Sequence, residues 1–174
     1  MIYSGRMAMT QPERGHPVPP DGDGRWADLA DLMLIIAREI QFRGYTDEQA
    51  LPLSQSEGMV MRYLQTDPDA PPSRIAATTG LQRTNLSAVL RGLEGKSLIE
   101  RHASSEDGRG VTVRPTEYGK SNYALVRQEW ARAVSAAAGG DSSDLDPALR
   151  LLRDIEDGLT SARPQASGRP ATLM

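Results

Sequence analysis

In a chain of 174 residues with two histidines and no cysteine, the side chains best suited to chemistry gather in one short run, Gln82-Arg83-Thr84-Asn85, followed by Ser87 and Arg91. An arginine presents a planar fork of donors. On double-stranded DNA that fork matches guanine O6 and N7, while the amides of Gln and Asn match adenine N6 and N7. Arg83 is therefore a candidate for guanine, Gln82 or Asn85 for adenine, and Arg91 for the same face. Thr84 and Ser87, with Ser73 upstream, have hydroxyls suited to phosphate oxygens. The competing reading is a solvated helix face. A further cation, Arg109, ends the polar run Ser104-Ser105-Glu106-Asp107-Gly108-Arg109. A cation at the tip of a loop can enter a narrow minor groove, where the negative potential is enhanced.

The remaining composition excludes other chemistries. Without cysteine there is no disulfide, thiolate metal site, thiol nucleophile or thiol redox sensor. His16 and His102 lie far apart in sequence, each without a second His or an obvious orienting carboxylate in a helical repeat. Neither a His-based metal site nor a catalytic triad is expected, and no cofactor is implied. The longest uninterrupted apolar run, Leu32 to Ala37, falls far short of the roughly 20 residues of a spanning helix. No apolar run with a small-residue cleavage site follows Arg6, so the expected location is cytoplasmic.

Charge is unevenly spread. The formal net charge is −3, yet from Pro72 to Lys120 eight basic residues face five acidic ones, which makes this stretch +3 and the remainder −6. A locally basic middle on an acidic body suits a compact reader of nucleic acid.

The elements that would carry these residues follow from periodicity and caps. Residues 1–24 are rich in Pro and Gly, have no apolar period and read as a disordered tail, as do residues 163–174. A first helix is predicted from Arg25 to Arg43 on Trp26, Leu29, Ala30, Met33, Ile36, Ala37 and Ile40, with Gly44 as its stop. Leu32, Leu34 and Ile35 widen its apolar face enough to suggest burial on two sides. Ser54-Gln55-Ser56-Glu57 is a capping box opening a second helix with Val60, Met61, Tyr63 and Leu64. A short helix from Ser73 to Thr79, capped by Gly80, precedes a fourth from Gln82 or Arg83 to Lys96. Leu86, Val89, Leu90 and Leu93 turn inward on that fourth helix, and Thr84, Ser87, Ala88 and Arg91 turn outward. Two short helices about a glycine turn make a helix-turn-helix. Leu98–Ala103 and Gly110–Arg114 then alternate as a β-hairpin, a wing. Thr116 caps a long helix that carries Leu125, Val126, Trp130 and Val134 and stops at Gly139-Gly140. A last helix is predicted to start with Asp146 as N-cap and Pro147 at its first position, carrying Leu149, Leu152, Ile155 and Leu159.

This order, from about Trp26 to Leu159, resembles the multiple-antibiotic-resistance regulator (MarR) family of winged-helix transcription factors. The run from Asp107 to Gly119 is similar to the family's wing: Asp, any residue, Arg, a small residue, a strand, then Thr with Gly three residues on. Leu81–Glu94 resembles its recognition helix, and Leu98-Ile99-Glu100-Arg101 the opening of its wing. Ser97 stands where the family usually has Gly, so a tight or strained turn is expected there. Pro115 replaces the usual Leu, and Gly92 and Gly95 should weaken the end of the fourth helix by roughly 1 kcal/mol each.

The resemblance implies a mainly α fold with a β-hairpin wing (α+β). A DNA-binding core at about 54–116 is flanked by dimerisation helices at about 25–44 and 117–162, the domain as a whole spanning 25–162. It implies a cytoplasmic, non-enzymatic homodimeric repressor of a pseudo-palindromic operator, released by a small, often aromatic ligand. Asp107 would position Arg109 or tie the wing to the body. Trp26, Met33, Met59, Tyr63 and Trp130 are the candidates for an effector pocket, with ordinary core packing as their alternative. A different class of function is a winged-helix protein-interaction or dimerisation module without DNA binding. An enzyme would need a cofactor domain for which no phosphate-binding loop is present.

Overall fold

The computed structural model describes residues 23–103 and 110–163. These form six helices and one hairpin: α1 (Arg25–Phe42), α2 (Gln55–Thr66), α3 (Pro72–Thr79), α4 (Arg83–Gly95), β1 (Ile99–Ala103), β2 (Val111–Pro115), α5 (Glu117–Ala137) and α6 (Leu145–Ser161). The chain divides into two compact units, one reaching Ala37 and the other beginning at Arg38. The described part of the first is the opening of α1. Its Trp26, Leu32, Leu34, Ile35 and Ile36 are all exposed, and α1 has no buried residue along its length. Gly44 is not in the left-handed region, so α1 ends at Phe42 without the expected glycine cap.

The second unit is a winged helix. The capping box is present as predicted: the Glu57 amide donates to Ser54 Oγ (3.2 Å) and the Ser54 amide to Glu57 Oε2 (2.8 Å). Pro72 opens α3, where a missing N–H costs no helical bond, and Gly80 at φ 74° closes it in the left-handed conformation. The core is drawn from every element between α2 and α5: Val60, Met61 and Leu64 of α2, Ile75 of α3, Leu86, Leu90 and Leu93 of α4, Val113 of β2 and Val126 of α5 are all buried.

The hairpin is antiparallel, with Ile99 opposite Pro115 and Ala103 opposite Val111. A third partner was not foreseen. Ala70, just before α3, forms a bridge with Val113, its carbonyl accepting from the Val113 amide at 3.0 Å while the Asp69 amide donates to Val113 O at 3.1 Å. The loop before the helix-turn-helix is thereby stitched to the wing.

The junction of α4 with the wing holds the expected strain. The Leu98 amide donates to Leu93 O and the Ser97 amide to Glu94 O, each at 2.9 Å, which is the six-to-one and five-to-two pattern of a Schellman turn. Its left-handed position is Ser97, at φ 58°, where glycine would be at ease. Thr116 then explains the Thr-x-x-Gly pattern. Its hydroxyl donates to Ser97 O (2.8 Å) and accepts from the Gly119 amide (2.9 Å). A Cβ on Gly119 would lie 1.9 Å from Leu98 O, so only glycine lets α5 start against the wing.

One further sequence expectation needs correction. The last helix begins at Leu145 with Asp144 as N-cap, rather than with Asp146 in that role. Pro147 falls within the first turn, where amides have no intrahelical partner in any case, so it did not fix the first position. Gly92 is not merely a weak spot in α4. A Cβ there would meet Glu57 Oε1 at 3.1 Å, so its smallness allows α4 to approach the N-terminus of α2, where Lys96 Nζ also bonds Glu57 Oε2 (2.8 Å) and Pro52 O (3.0 Å).

Candidate nucleic-acid interface

The helix-turn-helix places Gln82 at the N-cap of α4, its side chain uncommitted to capping. Arg83, Thr84, Asn85, Ser87 and Arg91 are exposed along the helix, and Ser73 is exposed on the first turn of α3. Leu86, Leu90 and Leu93 form the opposite face and are buried; Val89 is only partly covered. The outward and inward sets match the sequence expectation, because the 3.6-residue period alone separates them.

Ion pairing sorts the basic residues of this region. Arg74 pairs with Asp67 (3.1 Å), Lys96 with Glu57 (2.8 Å), Arg101 with Glu94 (3.2 Å), Arg114 with Asp69 (2.8 Å) and Lys120 with Glu117 (2.6 Å). Arg83 and Arg91 have no ion-pair partner among the described residues. Among the described residues of the α3–β2 region, the two cations without an ion-pair partner therefore stand on the outer face of α4, beside Gln82, Thr84 and Asn85. Ser87 is a weaker candidate than the sequence suggests. Its hydroxyl donates to Arg83 O (2.9 Å) and would have to turn away to reach a phosphate. Arg109 and Asp107 lie outside the described residues.

Two carboxylates between α2 and α3 tie their neighbouring elements together. Asp67 accepts from the Tyr63 hydroxyl (2.7 Å) and from Arg74. The Tyr63 bond, then Arg74, holds the Asp67 carboxyl below its usual range. The guanidinium of Arg114 grips Asp69 through two bonds of 2.8 Å and lowers that carboxyl likewise. Asp69 sits at φ 76°, and this fork, with the bridge to Val113, keeps it there.

A second set of buried polar contacts anchors α5 to the segment before α2. Asn122, 1% exposed, accepts from the Leu51 amide (2.7 Å) and donates to Leu51 O (3.2 Å). Glu129 accepts from the amide and hydroxyl of Thr46 (2.8 and 2.7 Å) and also bonds Arg132. The Thr46 bonds pull its carboxyl below the usual glutamate value. Sequence reasoning passed over both residues. The available signal was that Asn122, Val126 and Glu129 share one helical face, so two polar groups had to be satisfied inside it.

The residues proposed for an effector pocket are placed as follows. Trp26, exposed, and Met33, half-buried, belong to the first unit. In the second, Met59 is half-buried, while Tyr63 and Trp130 pack against the core. Burial and the bond to Asp67 push the Tyr63 phenol up. The ring of Trp130 lies over Gly58, where a Cβ would meet it at 3.1 Å, and its indole nitrogen is buried without a partner among the described residues. A hollow of about 220 Å³ between the end of α1 and α5 is lined by other residues, among them Ile40, Tyr45, Thr46 and Ala133.

Comparison with known proteins gives the arrangement its context. Residues 53–111 match the model of the MarR family. The chain is 21% identical over 125 residues to the uncharacterized HTH-type transcriptional regulator YybA of Bacillus subtilis (strain 168), a match covering 72% of this chain and 83% of YybA. The fold is that of NadR in complex with 4-hydroxyphenylacetate (TM-score 0.60, 20% identity, 85% of this chain and 100% of that one). It is also that of Streptococcus pneumoniae FabT in complex with DNA (TM-score 0.54, 19% identity, 80% and 94%).

Proposed function

We propose that this protein, whose residues 53–111 carry the MarR family's domain, is a sequence-specific regulator of transcription that reads double-stranded DNA with α4. The observation that carries this is the outer face of α4. Arg83 and Arg91 stand there without a carboxylate partner among the described residues, while five neighbouring basic residues are each paired. A solvated helix face gains nothing from such selective neutralisation, whereas a helix entering a major groove needs its cations free. Gln82, Thr84 and Asn85 supply the adjoining polar contacts, Ser73 and Ser87 reach phosphates, and Arg109, positioned by Asp107, serves the minor groove. The FabT complex with DNA supports the same use of the fold.

The working form is a homodimer on a pseudo-palindromic operator. The DNA-binding core is 54–116, and the helices at 25–44 and 117–162 hold the dimer, because α1 and α6 carry apolar side chains that stand exposed among the described residues. Its action is repression, relieved by a small ligand, a reading supported by the NadR complex with 4-hydroxyphenylacetate. The decisive experiment is fluorescence anisotropy on duplex DNA from upstream of the protein's own gene against a scrambled duplex, across a salt series. The expected preference is ~4 kcal/mol or more, lost on Arg83→Ala. Equal binding to both duplexes, followed by failure of random-sequence selection, would replace this reading with a protein-interaction module.

A further inference from the structure

Beside the reading face of α4 lies a hollow of about 390 Å³, bounded by the first turn of α3, one side of α4 and β1. Its rim is polar and basic, with Ser73, Arg83 and Arg101, and Leu86 and Leu90 also line it. Arg101 was not among the residues expected to touch DNA, and its ion pair would ordinarily retire it from such a role. The geometry of that pair argues otherwise. Among the described residues only Nε of Arg101 is engaged, donating to Glu94 Oε2 at 3.2 Å. An arginine bonded through Nε keeps both terminal nitrogens available as donors.

Glu94 itself is oddly placed. It lies in the last turn of α4, where the helix dipole disfavours a carboxylate. Its bond to Arg101 gives it a purpose there, as a tether for the guanidinium. The hollow thus has two guanidinium groups, hydroxyls from Ser73 and Ser87, and leucine side chains, with the Glu94 carboxylate outside its lining and bonded to Arg101. That combination fits a phosphodiester held on the basic rim.

We propose that this hollow seats one sugar–phosphate unit of duplex DNA, with Arg101, oriented by Glu94, gripping the phosphate. The assignment rests on the DNA-binding reading above and adds a contact that carries affinity without sequence preference.

The test is a salt series on the native and scrambled duplexes with wild type, Arg101→Gln, Glu94→Gln and Arg91→Ala, each first checked for an unchanged thermal midpoint. Arg101→Gln should weaken binding to both duplexes by the same factor and make the slope of log K against log[salt] shallower by about 0.9, the loss of one phosphate contact. Glu94→Gln, which keeps the cation but loosens its tether, should weaken both duplexes less and leave the slope near that of wild type. Arg91→Ala should weaken the native duplex selectively. A wild-type slope and affinity for Arg101→Gln, or a loss confined to the native duplex, overturns the phosphate assignment while leaving DNA binding intact. No binding by wild type at any salt overturns both. Should Arg101→Gln lower the thermal midpoint, Arg101→Lys decides: a slope restored to wild type supports a phosphate contact, and one as shallow as Gln overturns it.

Discussion

Helices α4 and α6 carry the same kind of apolar stripe and meet opposite fates. In α4, Leu86, Leu90 and Leu93 are each 2% exposed or less. In α6, Leu149 and Ile155 are only half-buried, and Leu145, Leu152 and Leu159 stand 51%, 39% and 69% exposed. Periodicity places an apolar face on a helix but says nothing of what covers it. For α4 the cover is α2, α3 and the hairpin, all within ordinary loop length. Among the described residues, the bonds that tie α6 and the residue after its C-cap to the rest of the fold are polar: Arg62 pairs with Glu156 (2.9 Å) and Arg163 donates to Thr78 O (2.7 Å). A second copy of the chain is the cover that the dimeric reading supplies.

Truncating one leucine on each stripe tests whether the two helices have different covers. Leu90→Ala should cost about 2–5 kcal/mol, as for a large-to-small change in a closed core, and its denaturation midpoint should fall equally at every protein concentration. Leu152→Ala should leave the unfolding of dilute protein nearly unchanged and shift the concentration dependence of sedimentation toward monomer. If both variants lost stability alike, independent of concentration, α6 would be part of an ordinary intrachain core.

Next in size is Gly119→Ala. The added Cβ would sit 1.9 Å from Leu98 O, and backbone cannot yield as a side-chain tip does. A loss of about 1–3 kcal/mol or more is expected, with the wing amides exchanging faster than those of α2. Unchanged stability would mean that the start of α5 is less tightly seated on the wing than α4 is on its neighbours.

Ser97→Gly sharpens the same contrast with the opposite sign. A left-handed non-glycine residue costs roughly 1–2 kcal/mol, and the greater freedom of unfolded glycine returns about 0.5–1 of it. The variant should be more stable than wild type by several tenths to about 1 kcal/mol, read from the urea midpoint. No such turn ends α6, so its stability should be indifferent to equivalent changes.

What was legible in the sequence follows the same division between near and far. The Ser54–Glu57 box, Gly80, the two strands of the hairpin and the Thr116 cap were readable because each bond spans a few residues or one hairpin. The Ala70–Val113 bridge, Asn122 on Leu51 and Glu129 on Thr46 join segments more than forty residues apart, and no local pattern announces such a partner. The α6 boundary was misplaced because Pro147 fits any position of a first turn. On the interface, periodicity separated outward from inward residues on α4. It could not show which cations were already neutralised, nor that Ser87 bonds its own helix.

The smallest effects concern the carboxylates. The bonds from Thr46 hold the Glu129 pKa below its usual value of 4.5. A lowered folded-state pKa contributes stability that is fully present above the unfolded value and lost as pH falls through the folded one. The thermal midpoint should therefore decline as the pH drops below about 4.5, and Glu129→Gln should flatten part of that decline. On α6 the Arg62–Glu156 pair is largely exposed on both sides, and such pairs contribute about 0–1 kcal/mol. Glu156→Gln should accordingly change the midpoint little at low salt and not at all at high salt, where exposed charges are screened. If Glu156→Gln instead cost as much as an α4 leucine, the polar attachments of α6 would be holding that helix in the fold, and its uncovered stripe would no longer argue for a second chain.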